Sequence, residues 1–188
     1  MQMPQNESQM DLVLFGIQGS GKGTQAKKIA AEFGYDIFEA GGELRKIAAS
    51  GSELGNTVKS YIDVGKLVPF EIIMKVVEEA INARPKDQKI LFDGIPRDLD
   101  QMKSLNEVME RSGRDFRCLH ITLDPEEGVR RILKRAEIEG RADDASEETI
   151  RKRMGLFTEK TMPVIESYKQ EGKNTEVEGT GSKEDIYK

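Results

Sequence analysis

Two stretches of this 188-residue chain carry residue types and spacings suited to handling phosphate. The first is Gly16-Ile-Gln-Gly-Ser-Gly-Lys-Gly-Thr24, where Gly19, Ser20, Gly21 and Gly23 crowd around Lys22. Glycines let backbone N–H groups turn toward an anion, a helix beginning there adds partial positive charge, and the lysine adds a full one. Elsewhere such a run would be an ordinary glycine-rich turn. Here the apolar run Leu12 to Phe15 precedes it as a strand, and the stripe Ala26, Ile29, Ala30 and Phe33 follows it as a helix. Strand, loop and helix in that order are the context a phosphate-binding loop requires. Thr24 then offers a hydroxyl to a magnesium ion.

The second stretch is Leu91-Phe-Asp-Gly-Ile-Pro-Arg-Asp-Leu-Asp-Gln101, at the end of the apolar run Ile90 to Phe92. Asp93 ends that strand, where a carboxylate can orient water around Mg²⁺. Arg97 brings a planar, permanently charged fork that holds phosphate oxygens in pairs. Further along, Arg131 and Arg135 stand four apart beside the helical stripe Val129, Ile132, Leu133 and Ala136, so both can reach one cleft. Arg141 heads Arg-Ala-Asp-Asp144, and Arg153 follows on the next helix. Taken singly, each of these arginines reads as a solvated surface charge.

The elements that must position these groups are legible in outline. The apolar runs Leu12 to Phe15, Ile90 to Phe92 and Cys118 to Leu123 alternate with long amphipathic stretches, which predicts an α/β fold with a parallel sheet flanked by helices. Ile72, Ile73, Val76, Val77, Ala80 and Ile81 form one helical stripe, with Pro69 suited to its first turn. Ile150, Met154, Phe157, Val164 and Tyr168 form another, which Pro163 is expected to kink or split. Two segments break the alternation. Residues 39–68 are rich in Gly and Ser and are expected to hold two short helices, and Glu139 to Ser146 is a short polar loop. Both read as pieces standing off the sheet.

Composition limits the function. The 29 Lys and Arg are outnumbered by 34 Asp and Glu, giving a net charge of −5, which argues against a broad nucleic-acid surface. Any anion site is therefore a local gathering of cations. A single cysteine, Cys118, excludes an internal disulfide framework and a multi-cysteine zinc site, as expected in a reducing, cytoplasmic setting. Residues 1–10 are polar and read as a disordered lead-in rather than a secretory signal. No apolar run nears the roughly 18 residues that span a bilayer, so no membrane partner is expected. His120, the only histidine, and Cys118 lie in a predicted buried strand and read as structural.

Gly23, in place of a hydroxyl residue directly after the lysine, together with the run Gly-Lys-Gly-Thr-Gln25, resembles the loop of the adenylate kinase and UMP/CMP kinase family. Asp93-Gly-Ile-Pro-Arg97 with Gln101 resembles that family's second motif, and Phe38-Glu-Ala-Gly-Gly-Glu-Leu-Arg45 its monophosphate-binding segment. The resemblance implies a P-loop NTPase-like core over residues 11–188. It further implies an inserted monophosphate-binding lobe at 39–68 and a short lid at 135–145. The activity it implies is Mg²⁺-dependent phosphoryl transfer from ATP to a nucleoside monophosphate.

On the donor side the resemblance assigns residues 19–24 and Lys22 to the ATP phosphates, with Arg131 stacked on the adenine. Arg135, Arg141 and Arg153 close on the phosphates, and Asp143 and Asp144 support those lid arginines. Gly179, Thr180 and Gly181 form a loop against the donor base. On the acceptor side it assigns Ala40, Gly41 and Arg45, then Val64, Lys66, Leu67 and Val68. Gly94, Arg97 and Gln101 complete the acceptor set, with Arg141 and Arg153 reaching it from the lid. Thr24 and Asp93 serve Mg²⁺ through water, and no zinc is implied because the lid lacks cysteine.

The chain departs from the family pattern at Gln18, where proline is usual, at Ile95, where phenylalanine is usual, and at Gly42, where aspartate is usual. Ala40 matches the pyrimidine-specific relatives, whereas the Gln101 amide suits the N1/N6 edge of adenine. The acceptor is therefore AMP, with UMP or CMP as the alternative and a nucleotide-binding regulatory protein as a third reading. The family is usually monomeric, with small nucleotides as its partners.

Overall fold

A computed structural model of the chain describes residues 10–63, 68–139, 147–181 and 186. The elements are β1 Asp11–Gly16, α1 Lys22–Phe33, β2 Asp36–Glu39, α2 Ala40–Ala48, α3 Glu53–Ile62, α4 Phe70–Asn82 and β3 Ile90–Asp93. They continue with α5 Leu99–Arg111, β4 Phe116–Thr122, α6 Pro125–Glu139 and α7 Glu147–Leu156. A π-helical turn at Phe157–Thr161 leads into α8 Met162–Gln170 and β5 Asn174–Glu178.

The five strands form one parallel sheet in the order β2, β3, β1, β4, β5. The central strands β1 and β3 carry near-continuous apolar runs because both faces are covered. From β1, Val13 and Phe15 point into a core with Phe38, Phe92, Val77, Leu105 and Tyr168, against α4, α5 and α8. Leu14 points the other way, toward Ala26 of α1, Leu91 and Ile121. Burying each of these large side chains contributes about 1.5–3 kcal/mol. Tyr168 is fully buried yet satisfied, its hydroxyl donating to Asn106 Oδ1 at 2.9 Å.

The strand order reverses at β1, so β2 and β3 lie on one side of it and β4 and β5 on the other. In such sheets the crevice beyond the carboxyl ends at the reversal is where ligands bind. That is where residues 16–24 begin. Below the sheet, Asp11 is clamped by Arg114, with Nε to Oδ2 at 2.7 Å and Nη2 to Oδ1 at 2.9 Å, and accepts the Ile90 N–H at 2.7 Å. This ties β1 to β3 and fixes their register.

Several expectations take a sharper form. The segment between β2 and α4 holds two short helices, α2 and α3, as expected. The long C-terminal stripe is split, but the disturbance begins at Phe157, upstream of Pro163. Pro163 has no N–H for the carbonyl of Glu159, and the preceding turn widens while the proline takes the first turn of α8, where a missing N–H is harmless. Phe33, expected in the α1 stripe, ends the helix 53% exposed. The polar stretch Asn174–Glu178, not predicted as a strand, pairs with β4 as the sheet edge. The lead-in at 1–9 lies outside the described residues; Met10 accepts the Tyr35 hydroxyl through its carbonyl at 3.2 Å.

Candidate active site

The loop between β1 and α1 is shaped by its glycines. Gly19 has φ +85° and Gly21 φ +83°, both in the left-handed region that favours glycine. Gly21 is the N-cap of α1, so the Lys22 and Gly23 N–H groups of its first turn have no earlier helical carbonyl to meet, while the Thr24 N–H donates to Gly21 O at 2.9 Å. Ser20 Oγ and Gln18 Oε1 are buried there without a hydrogen-bond partner among the described residues. Buried polar atoms of that kind are normally met by a ligand or water.

Lys22 Nζ is in direct contact with Asp93 Oδ1 at the end of β3, and both side chains are largely buried. Burial and the nearby Arg97 charge pull the Lys22 ammonium down to about 8, while Glu39 opposes them. The Asp93 carboxylate acts in the same sense as Glu39 and helps keep the lysine charged at neutral pH. Asp93, Thr24 and Ser20 present hard oxygen donors, a set that suits Mg²⁺, which takes most of its ligands from water and phosphates. Among the described residues no three His, Cys, Asp or Glu side chains converge on a metal by themselves.

Beyond Asp93 the chain turns through Gly94 at φ +90° and builds a rigid hook around Arg97. Arg97 Nε donates to Gly94 O at 2.8 Å, its backbone N–H donates to Gln101 Oε1 at 2.8 Å, and its carbonyl accepts the Thr161 hydroxyl at 2.8 Å. The N-cap Asp98 in turn accepts the Gln101 N–H at 2.8 Å. One expectation changes here: the Gln101 amide oxygen is engaged by the Arg97 backbone. The amide keeps its Nε2 donors for a base, while its oxygen has one lone pair left after accepting the Arg97 N–H.

On the other side, Arg131 Nε donates to Glu127 Oε1 at 2.8 Å and Nη1 to Gly179 O at 3.1 Å. This joins α6 to the loop after β5, two pieces read separately as donor-side groups. Gly179 sits where no side chain fits, since a Cβ would lie 2.7 Å from Thr122 O. Thr180 bonds Glu178, and Gly181 follows.

One cleft of about 1710 Å³ takes in residues 16–25, Gly94 to Asp98, Gln101, Arg131, Arg135, Arg153 and Gly181. Lys27, Lys28, Lys134 and Lys160 also line it, and the sequence reading had not singled them out. Ala40, Gly41, Arg45 and Val68 are not in its lining. Arg45, on α2, is exposed and lies 3.5 Å from Glu39 Oε2. Val64, Lys66, Leu67, Arg141, Asp143 and Asp144 lie outside the described residues.

Two positions were missed by the sequence reading. Gly128, in α6, packs on the loop: a Cβ there would lie 2.8 Å from Gln18 O and 2.8 Å from Met154 Cε, and one on Gly19 would lie 2.7 Å from Gly128 O. A glycine inside an apolar helical stripe is the signal that could have found it. Glu39 caps α2, a role no local pattern reveals. Cys118 and His120 are buried as expected; burial pushes the thiol up to about 12 and the imidazole below its usual value, with Glu176 Oε1 3.5 Å from Nδ1 partly opposing.

Comparison with known proteins agrees with this geometry. The family described as "Adenylate kinase" matches residues 14–173. An adenylate kinase of Phocaeicola vulgatus is 37% identical over 179 residues, 95% of this chain and 94% of the relative. One from Thermus thermophilus is 37% identical over 177 residues, covering 94% and 92%, and one from Maricaulis maris is 38% identical over 178, covering 94% of each. With a phosphate loop and an arginine hook in one cleft, a strand-end aspartate in contact with the loop lysine, and relatives matching over more than nine tenths of the chain, the chain belongs to the adenylate kinase family.

Proposed function

We propose that the protein catalyses reversible, Mg²⁺-dependent transfer of a phosphoryl group between ATP and AMP, yielding two ADP. The observation that carries this reading is the single cleft lined by the glycine loop with Lys22, by Arg97 and by Arg131, with Asp93 in contact with Lys22 and Gly179 bonded to Arg131 beside it. Donor and acceptor phosphates need to meet end to end, and the glycine loop and Arg97 line the same cleft.

No protein nucleophile is needed. An AMP phosphate oxygen attacks the γ-phosphorus of ATP, and the bond from that phosphorus to the bridging oxygen of the leaving ADP breaks. The protein contributes alignment and charge. Residues 19–24 hold the donor phosphates with N–H groups, and Lys22 follows the charge as it develops. Arg97 holds the acceptor phosphate with Arg45, Arg135 and Arg141 close from the lid at 135–145, supported by Asp143 and Asp144, and Arg153 joins them from α7. Thr24 and Asp93 would hold Mg²⁺, which when bound would supply charge neutralisation at the phosphates. Arg131 and residues 179–181 hold the donor base. The lobe at 39–68, with Ala40, Gly41, Val64, Lys66, Leu67 and Val68, receives the acceptor nucleoside. Lid closure excludes water that would otherwise hydrolyse ATP.

The Nε2 donors of Gln101 favour a base with a ring-nitrogen acceptor at its pairing edge. Adenine N1 fits and uracil N3–H does not, so AMP is preferred over UMP. The protein works without zinc, as a cytoplasmic monomer acting on small nucleotides rather than on nucleic acid or membranes. Among the described residues no helix is long and apolar enough to cross a membrane. A coupled assay of ADP formation with ATP and AMP, UMP, CMP, GMP or dTMP tests the reading. AMP is expected to be the best acceptor; a UMP or CMP preference contradicts the base assignment, and no turnover with any acceptor contradicts the enzyme.

A further inference from the structure

Glu39 ends β2 directly beside Asp93 in the sheet register. Its carboxylate folds back over the first turn of α2, accepting the Gly41 N–H at 3.1 Å through Oε1 and the Gly42 N–H at 2.8 Å through Oε2. Arg45 Nη2 approaches the same Oε2 at 3.5 Å. The groups that would collect an acceptor phosphate, namely the N–H groups opening α2 and the Arg45 guanidinium, are therefore already gathered on an anion of the protein's own. A carboxylate with both oxygens engaged imitates two phosphate oxygens. Gly42 makes the arrangement possible, since a Cβ there would stand 2.9 Å from Glu39 Oε2. The aspartate usual at that position in the family would also bring a second negative charge against Glu39.

The pairing is exposed, with 72% of the Arg45 side chain and 56% of the Glu39 side chain accessible. Exposed pairs of this kind are weak and exchange readily. The Glu39 field also reaches Lys22, where it favours the charged ammonium. Glu39 thus touches both halves of the site with opposite consequences. It competes with the acceptor phosphate, and it supports the lysine that meets the donor.

We propose that Glu39 is an intramolecular competitor for the acceptor phosphate, holding Arg45 and the α2 N-terminus until the monophosphate displaces it and so setting acceptor affinity. This rests on the assignment of Arg45 to the acceptor. Losing a helix cap alone would loosen α2 and weaken acceptor binding. Losing a competitor strengthens it, so the sign of the effect separates the two roles.

The test is calorimetric titration of AMP, and separately of the non-hydrolysable ATP analogue AMP-PNP, into the full-length protein and its Glu39→Gln and Glu39→Ser variants. Serine removes the charge while remaining a good helix cap, which keeps the test valid if the glutamine variant folds poorly. Removing one like charge about 4 Å from the incoming phosphate in a watery setting tightens AMP binding about fivefold. The ATP analogue should bind unchanged or slightly more weakly, because Lys22 loses a supporting charge. AMP binding that is equal or weaker in both variants overturns the inference while leaving the acceptor reading intact. Absence of AMP binding from wild type and variants alike overturns the inference and the acceptor reading together.

Discussion

Lys22 should impose an alkaline limit on the reaction that a permanently charged side chain would remove. Its ammonium is buried beside Arg97, and those two influences bring it to about 8 against an ordinary value of 10.5. The sign follows directly: a lysine lowered this far loses its charge as pH rises through about 8, and with it the full positive charge in the phosphate loop. A group titrating there is about nine tenths charged at pH 7 and about one tenth charged at pH 9, so kcat/KM for ATP falls roughly tenfold over that interval. Bound phosphates favour the charged lysine, so the limb in kcat lies at higher pH than the limb in kcat/KM. The assay is a coupled measurement of ADP formation from pH 6.5 to 9.5 at saturating AMP and subsaturating ATP. The Lys22→Arg variant is the control. Its guanidinium stays charged throughout, so its activity is lower because the fork fits the loop poorly, but its profile is flat on the alkaline side. A wild-type profile flat to pH 9.5, or an unchanged alkaline limb in Lys22→Arg, would refute the reasoning.

Three further outcomes are expected. Arg84→Ala strips Glu43 and Asp36 of partners at 2.8 and 2.6 Å, leaves the largely buried Glu43 carboxylate facing α4, and lowers stability by about 2–4 kcal/mol in urea unfolding; a loss below about 1 kcal/mol would show that water replaces the arginine. Gly128→Ala drives a methyl group into Gln18 O and Met154 Cε, an overpacking of about 1–3 kcal/mol that shifts the phosphate loop and raises KM for ATP more than KM for AMP. Equal Michaelis constants in mutant and wild type would mean that α6 does not brace the loop. Gln101→Ala removes the acceptor for the Arg97 N–H and the donors offered to the base, lowering the AMP over UMP preference roughly tenfold. An unchanged preference would place base selection elsewhere.

How much could be read in advance depends on how local each feature is. The phosphate loop and the stretch from Asp93 to Gln101 were legible because each is a contiguous run bracketed by a strand and a helix, and the chemistry limits which residues can stand there. Arg131 and the Gly179 loop were legible as pieces; their contact at 3.1 Å joins positions 48 apart, which spacing alone does not reveal. β5 was not legible because Asn-Thr-Glu-Val-Glu178 lacks an apolar face, and the strand exists through its pairing with β4. The pairing of Arg84 with Glu43 spans 41 positions and joins the turn after α4 to α2, so neither residue carried a signal. Glu39 carried no signal of its own, because its capping role depends on α2 beginning at the next residue. Gln101 lines the cleft, and its hydrogen bond to the Arg97 backbone, between positions four apart, was not visible in the sequence.

The central claim is direct transfer between two nucleotides in one cleft, and following the γ-phosphoryl group of labelled ATP tests it most directly. With Mg²⁺ and AMP present, the label should appear at the β-position of newly formed ADP. None should be found on the protein, and release as free phosphate should be negligible. Label that remains in ATP, becomes bound to the protein, or emerges chiefly as free phosphate would contradict the account.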